Sequence, residues 1–188
     1  MKKLGLFICF LFVSTLIFAQ NATEYSVDVA KTTLKWDAKK VVGAHHGTVN
    51  LKNGKLQLNG SKISGGNFII DMPSLVCLDN SRVTGHLKNE DFFDVEKYPT
   101  ATFIITKVEG SDTNPKITGR LTIKGITKDI SFPATVSVKD NAVHAEANIT
   151  VNRLEYDIRY RSSSFFENLG NRAIEDNFII KLNMVANK

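Results

Sequence analysis

Three groups of side chains in this sequence carry reactive or ligating atoms at close spacing. The first is His45-His46, flanked by Gly43 and Gly47. Two imidazoles can share a metal ion, but neighbouring residues on a strand point to opposite faces. Only a loop would turn both toward one ion, so the pair reads first as a turn element. His144 falls on the polar face of its strand and reads as solvated.

The second group sets Glu90, Asp91, Asp94 and Glu96 close to His86. Carboxylates at that density can hold a hard cation or share acid–base work with an imidazole. A hydrolase using His86 with Asp91 or Asp94 is the enzymatic reading. Asn89 and Asp91 equally suit caps and turns around a packed Phe92-Phe93 corner, and that structural role is favoured.

The third group is Arg159-Tyr160-Arg161, followed by three serines and Phe165-Phe166. In an extended chain Arg159 and Arg161 share a side and, with the hydroxyls, can meet a phosphate. Phe165 and Phe166 can then close over an apolar tail. A solvated strand end with an anchored loop accounts for the same residues. The chain has no nucleophile elbow, Walker loop, His-Glu-x-x-His or Cys-x-x-Cys. No catalytic residue, cofactor or metal is therefore expected.

The N-terminus predicts the compartment. Met1-Lys2-Lys3 is basic, Leu4 to Phe18 is mostly apolar, and Ala19 precedes Gln20-Asn21. That order is a secretory signal peptide, too short for a comfortable membrane span. The expected organisation is residues 1–19 as signal and 20–188 as one domain, exported to the periplasm or secreted. Losing Lys2 and Lys3 takes the formal charge from +5 to +3. So modest a charge does not indicate a nucleic-acid partner. Cys77 is then the one cysteine left, which rules out an internal disulfide and leaves burial to hold the domain.

From Thr23 onward the hydrophobic period is two. Ile130, Phe132, Ala134, Val136 and Val138 fall on one face, and Val143, Ala145, Ala147, Ile149 and Val151 repeat the pattern after Asp140-Asn141. Leu34 and Trp36, then Phe68, Ile70 and Met72, then Phe178, Ile180 and Leu182 do likewise. Asn53-Gly54 predicts a tight hairpin between Leu51 and Leu56. Ala101 to Val108 is apolar on both faces, leaving its inward side open. Ser81 to Phe93 breaks the alternation and predicts a short helix plus loop. Ser162 to Asp176 predicts a long connection.

About eight strands, each apolar on one face, make a sandwich or a barrel, and periodicity does not separate them. An eight-stranded barrel either fills with side chains or holds one small ligand. Small inward residues such as Ala134, Ala145 and Gly119 fit a cavity and fit barrel taper equally.

Longer stretches carry a resemblance. Residues Gly85 to Phe103, reading GHLKNEDFFDVEKYPTATF, resemble the signature segment of the YceI-like proteins. Gly119 to Ile130, Asn152 to Phe166 and Ala173 to Asp176 are similar to further parts of that family. The resemblance runs from about Tyr25 to Ala186. It implies an all-β, eight-stranded, lipocalin-like antiparallel barrel with one or two short helical segments. It also implies a periplasmic, non-catalytic protein that binds, stores or transports a polyisoprenoid or similar amphiphilic lipid. Trp36, Phe68, Phe103, Phe132 and Phe178 are the expected cavity wall, and Arg159, Arg161, Phe165 and Phe166 the expected mouth. Many members carry an Arg-Asp pair before the His-Leu step, whereas Val83-Thr84-Gly85 stands here. The competing readings are the His86 hydrolase and a filled-core surface interaction module.

Overall fold

A computed structural model describes residues 22–188, so the expected signal segment lies outside the described residues. The strands are β1 (Thr23–Val27), β2 (Thr33–Lys40), β3 (Ala44–Asn59), β4 (Lys62–Cys77), β5 (Thr100–Gly110), β6 (Pro115–Ile123), β7 (Ile126–Lys139), β8 (Ala142–Asn152) and β9 (Ile174–Asn187). One helix, α1 (Ser81–Lys88), follows β4.

Every pairing is antiparallel, and the ladder β3-β2-β9-β8-β7-β6-β5-β4 closes through β3–β4. Closure gives eight strand positions filled by nine strands. Both β1 and β2 pair with β3 and β9, so they share one position, broken by the turn at residues 28–32. Closing the sheet lets each strand turn one face inward and leaves no open edge.

The alternation of the sequence becomes the inside and outside of the barrel. Ile130, Phe132, Ala134 and Val136 face inward, as do Ala145, Ile149 and Val151. The ambiguous β5 turns Ala101, Phe103 and Ile105 inward and leaves Ile104 on the surface.

One expected turn is not formed. At Asn53-Gly54 the chain runs straight through β3 with a register shift between Leu51 and Asn53. A Cβ on Gly54 would stand 2.8 Å from both Phe68 Cδ1 and Val27 Cγ2, so the glycine admits a close neighbour instead of a reversal. The reversal comes at the next Asn-Gly pair, Asn59-Gly60, where Gly60 has φ +64°.

Long connections gather at one end of the barrel. There lie α1 with the loop to β5, and the segment from 153 to 173 between β8 and β9. That segment opens with a 3-10 turn at Arg153–Tyr156 and ends with another at Gly170–Arg172. The opposite end carries the short reversals after β3, β5 and β7.

Candidate functional site

The inward faces enclose a hollow of about 220 Å3 whose wall is almost wholly apolar. It reaches from Leu56 and Ile63 near the tight-turn end to Leu87, Phe93 and Ile158 near the long-connection end. Leu56, Leu58, Val143 and Ala186 are buried completely or nearly so at the tight-turn end, forming a solid floor. The filled-core alternative does not describe this interior.

Trp36, Phe68, Phe103, Phe132 and Phe178 all stand on the cavity wall. The Phe68 and Phe103 rings stack at 6.3 Å, and Phe103 meets Phe132 at 5.6 Å. Nearer the mouth, Phe178 meets Phe93 edge to face at 6.4 Å. Large rings would fill a narrow barrel unless they lay flat on its wall. Two glycines permit that. Gly47 is the cross-strand partner of Trp36, and a Cβ there would be 2.6 Å from the indole Cζ2. Gly119 stands under Phe103, where a Cβ would be 2.5 Å from Cζ. The indole Nε1 is satisfied by donating to the Val76 carbonyl at 3.2 Å.

The mouth is covered by α1 and by the chain that follows β8. Asn80 caps α1 by accepting from Arg82 N, and Thr84 Oγ1 accepts from Cys77 N at 2.8 Å, tying the helix to β4. Leu87 thereby faces the hollow.

Arg153 is the main polar group of the site, and it was absent from the sequence-based candidates. It is 4% exposed. Its Nη1 donates to the carbonyls of Ile158 and Tyr160 at 2.8 and 2.9 Å. Its Nε and Nη2 donate to Glu175 and Ile174 carbonyls at 3.1 and 3.0 Å, and Nη2 reaches Asp176 Oδ1 at 3.3 Å. Burial pulls the guanidinium below its usual pKa while Asp176 opposes the shift. The residue joins the 153–160 segment to the start of β9. A sequence signal existed: Val143, Ala145, Ala147, Ile149 and Val151 face inward, and Arg153 is the next step of that alternation.

The expected mouth residues stand at this end but off the cavity wall. Arg161 has φ +49° and Asp157 φ +58°, so the segment turns where an extended run was expected. Arg159 pairs with Asp157 at 2.7 Å and lies 4.6 Å over the Phe165 ring. Phe165 and Phe166 are each 49% exposed. Two of the serine hydroxyls work internally, Ser162 Oγ accepting from Ser164 N and Ser164 Oγ donating to Asp176 Oδ2 at 2.8 Å.

His86 does meet Asp91, Nε2 to Oδ2 at 2.9 Å. Its ring packs edge-on against Phe92 and Tyr160 at 5.0 and 4.6 Å. Asp94 adopts φ +47° in the following turn, its carbonyl accepting from Lys97 N and Tyr98 N. These contacts fold the corner after α1.

A family model described as "YceI-like domain" matches residues 25–186. A UPF0312 protein of Pseudomonas putida strain F1 is 33% identical over 92 residues, 48% of either chain. A UPF0312 protein of Pseudomonas aeruginosa strain LESB58 is 45% identical over 49 residues, 26% of either. The matched stretch thus spans about half the length of the first of these curated relatives and less of the second. Among solved structures, Burkholderia cenocepacia BcnA superposes with a TM-score of 0.71 at 21% identity, covering 85% of this chain and 98% of that one. A polyisoprenoid binding domain from Saccharophagus degradans, implicated in plant cell wall breakdown, gives 0.64 at 12% identity over 87% and 97%. At these identities the superpositions establish a common fold.

Proposed function

Because this chain belongs to the YceI-like domain family, we propose that it is a non-catalytic binding protein that stores or transports a polyisoprenoid or similar amphiphilic lipid within its barrel. The apolar hollow lined by Trp36, Phe68, Phe103, Phe132 and Phe178 carries that proposal. The description of the Saccharophagus degradans neighbour supports the same ligand class.

Burial of the tail supplies the affinity. At about 25 cal/mol per Å2, removing roughly 400 Å2 of apolar surface from water contributes about 10 kcal/mol before ordering costs. Arg153 has every donor engaged by protein acceptors, so it acts as a strut and not as a head-group receptor. The polar head belongs at the outer rim, where Arg159 and Arg161 supply cations and Phe165 and Phe166 supply apolar cover. The basic, apolar, small-residue order of residues 1–19 supports export to the periplasm or beyond, with the remaining chain as the working protein.

Mass spectrometry of lipids extracted from the purified native protein tests the proposal. Recovery of about one isoprenoid lipid per chain is the expected result. A protein that emerges empty and takes up no polyprenol from vesicles would overturn it.

A further inference from the structure

The ladder between β3 and β4 does not end at the last strand residue. Gly47 pairs with Cys77, and Leu78 N donates to the His46 carbonyl at 2.9 Å, so the same register carries His45 opposite Asp79. Residues two apart on a strand share a face. Cys77 and Asp79 therefore point to one side, and His45 joins them across the ladder.

The contacts follow from that register. His45 Nδ1 lies 2.9 Å from Asp79 Oδ2, and Cys77 Sγ lies 2.9 Å from Asp79 Oδ1. One ligand atom from each of the three residues falls within 4.8 Å of the other two. From these observations we propose that His45, Cys77 and Asp79 form a binding site for a zinc-class divalent cation, independent of what fills the barrel.

Donor chemistry points to that class. Imidazole, thiolate and carboxylate together suit a borderline-soft ion, and three protein ligands with a water complete a tetrahedron. Bond lengths of about 2.0 to 2.3 Å set such ligand atoms roughly 3.4 Å apart, so shifts of an ångström or less convert the present contacts into coordination. Geometry leaves room for solvent, since the His45 and Asp79 side chains are 21% and 32% exposed.

Electrostatics favour a cation as well. Asp79 brings a carboxylate with His45 Nδ1 and Cys77 Sγ each at 2.9 Å from it, so negative charge stands where the cation would sit. Cys77 is buried beside that carboxylate, a setting that disfavours a bare thiolate. A neighbouring divalent charge reverses the penalty on the thiolate; on binding, the thiol proton passes to solvent and sulfur donates its pair to the metal. Sequence spacing conceals the site, because His45 and Asp79 are separated by the whole β3–β4 hairpin.

Cobalt(II) titration of the full chain provides the test, because a cobalt–thiolate bond gives a near-ultraviolet charge-transfer band. One equivalent should produce the band, and zinc should displace it and slow alkylation of Cys77 by iodoacetamide. Cys77→Ser should abolish the band, and His45→Ala or Asp79→Asn should weaken zinc binding at least about tenfold, circular dichroism confirming the fold of each variant. A folded protein that shows no band with cobalt, or whose Cys77 alkylates at the same rate with zinc present, overturns the proposal.

Discussion

The Trp36 indole lies directly against Gly47, its cross-strand partner, and occupies the space a side chain would need. A large ring is thus accommodated on the wall of the hollow with its nitrogen satisfied by the Val76 carbonyl. A Cβ on Gly47 would collide with the Val76 carbonyl oxygen as well, so Gly47→Ala must shift the β3–β4 backbone along with the indole. The expected cost is about 2 to 4 kcal/mol of stability, measured by urea unfolding with fluorescence of the lone Trp36. An unchanged midpoint and emission maximum would show that the close approach is not needed.

Much of this arrangement was legible in the sequence, and the parts that were not share a cause. Period-two alternation names nearly the whole inner wall, since inside and outside are properties of single strands. It set the reversal at Asn53-Gly54 and was wrong there, because that pair is governed by Val27 and Phe68 from other strands. Nor could it show that β1 and β2 share one barrel position. Arg153 continues the inward alternation of β8 with a charge where an apolar residue would fit the pattern, and its acceptors at 174 to 176 are known only once β9 lies beside it. Arg159 and Arg161 stood out by composition, and their chain turns where extended geometry was assumed.

Ala134 faces the hollow with little side chain to fill it. Ala134→Phe places a ring in the volume assigned to the lipid tail. Uptake of a fluorescent polyprenol analogue should fall at least about tenfold while the fold is kept, since overpacking costs only about 1 to 3 kcal/mol. Uptake at the native level would show that the ligand sits elsewhere.

Arg153→Met removes five donors from a nearly dry location and leaves four carbonyls and Asp176 without them. Breaking a buried ion pair from one side costs about 3 to 5 kcal/mol. For a chain of this size that lowers Tm by about 10 °C in a calorimetric scan. A shift of a degree or two would mean the 153–160 segment is held by packing alone.

Tyr156 is fully buried, and its hydroxyl has no hydrogen-bond partner among the described residues. Tyr156→Phe should leave stability unchanged or raise it by about 1 kcal/mol, because the hydroxyl is desolvated for no return. Burial, with a smaller contribution from Glu155, pushes the phenol up to about 12. A raised pKa means the folded state prefers the neutral phenol. Its contribution is complete below pH 10 and is lost as pH climbs from 10 toward 12. Unfolding midpoints across that window should fall more steeply in the native protein than in the phenylalanine variant. Parallel curves would place the phenol in contact with water.

The shared position of β1 and β2 has a dynamic consequence. Across the break at residues 28–32 the regular exchange of backbone hydrogen bonds with β9 is interrupted, and the Thr32 hydroxyl takes the place of one peptide group. Its Oγ1 accepts from Val185 N at 3.2 Å and donates to Val185 O at 3.4 Å. A wall stitched at that point by one rotatable hydroxyl and a single peptide N–H, Asp28 N donating to Val185 O at 2.8 Å, opens at lower free energy than a continuous ladder. Amide deuterium should enter early along this seam, as it should where the β7–β8 ladder stops at Ala134–Ala147, which makes the break one of the slits through which the wall breathes.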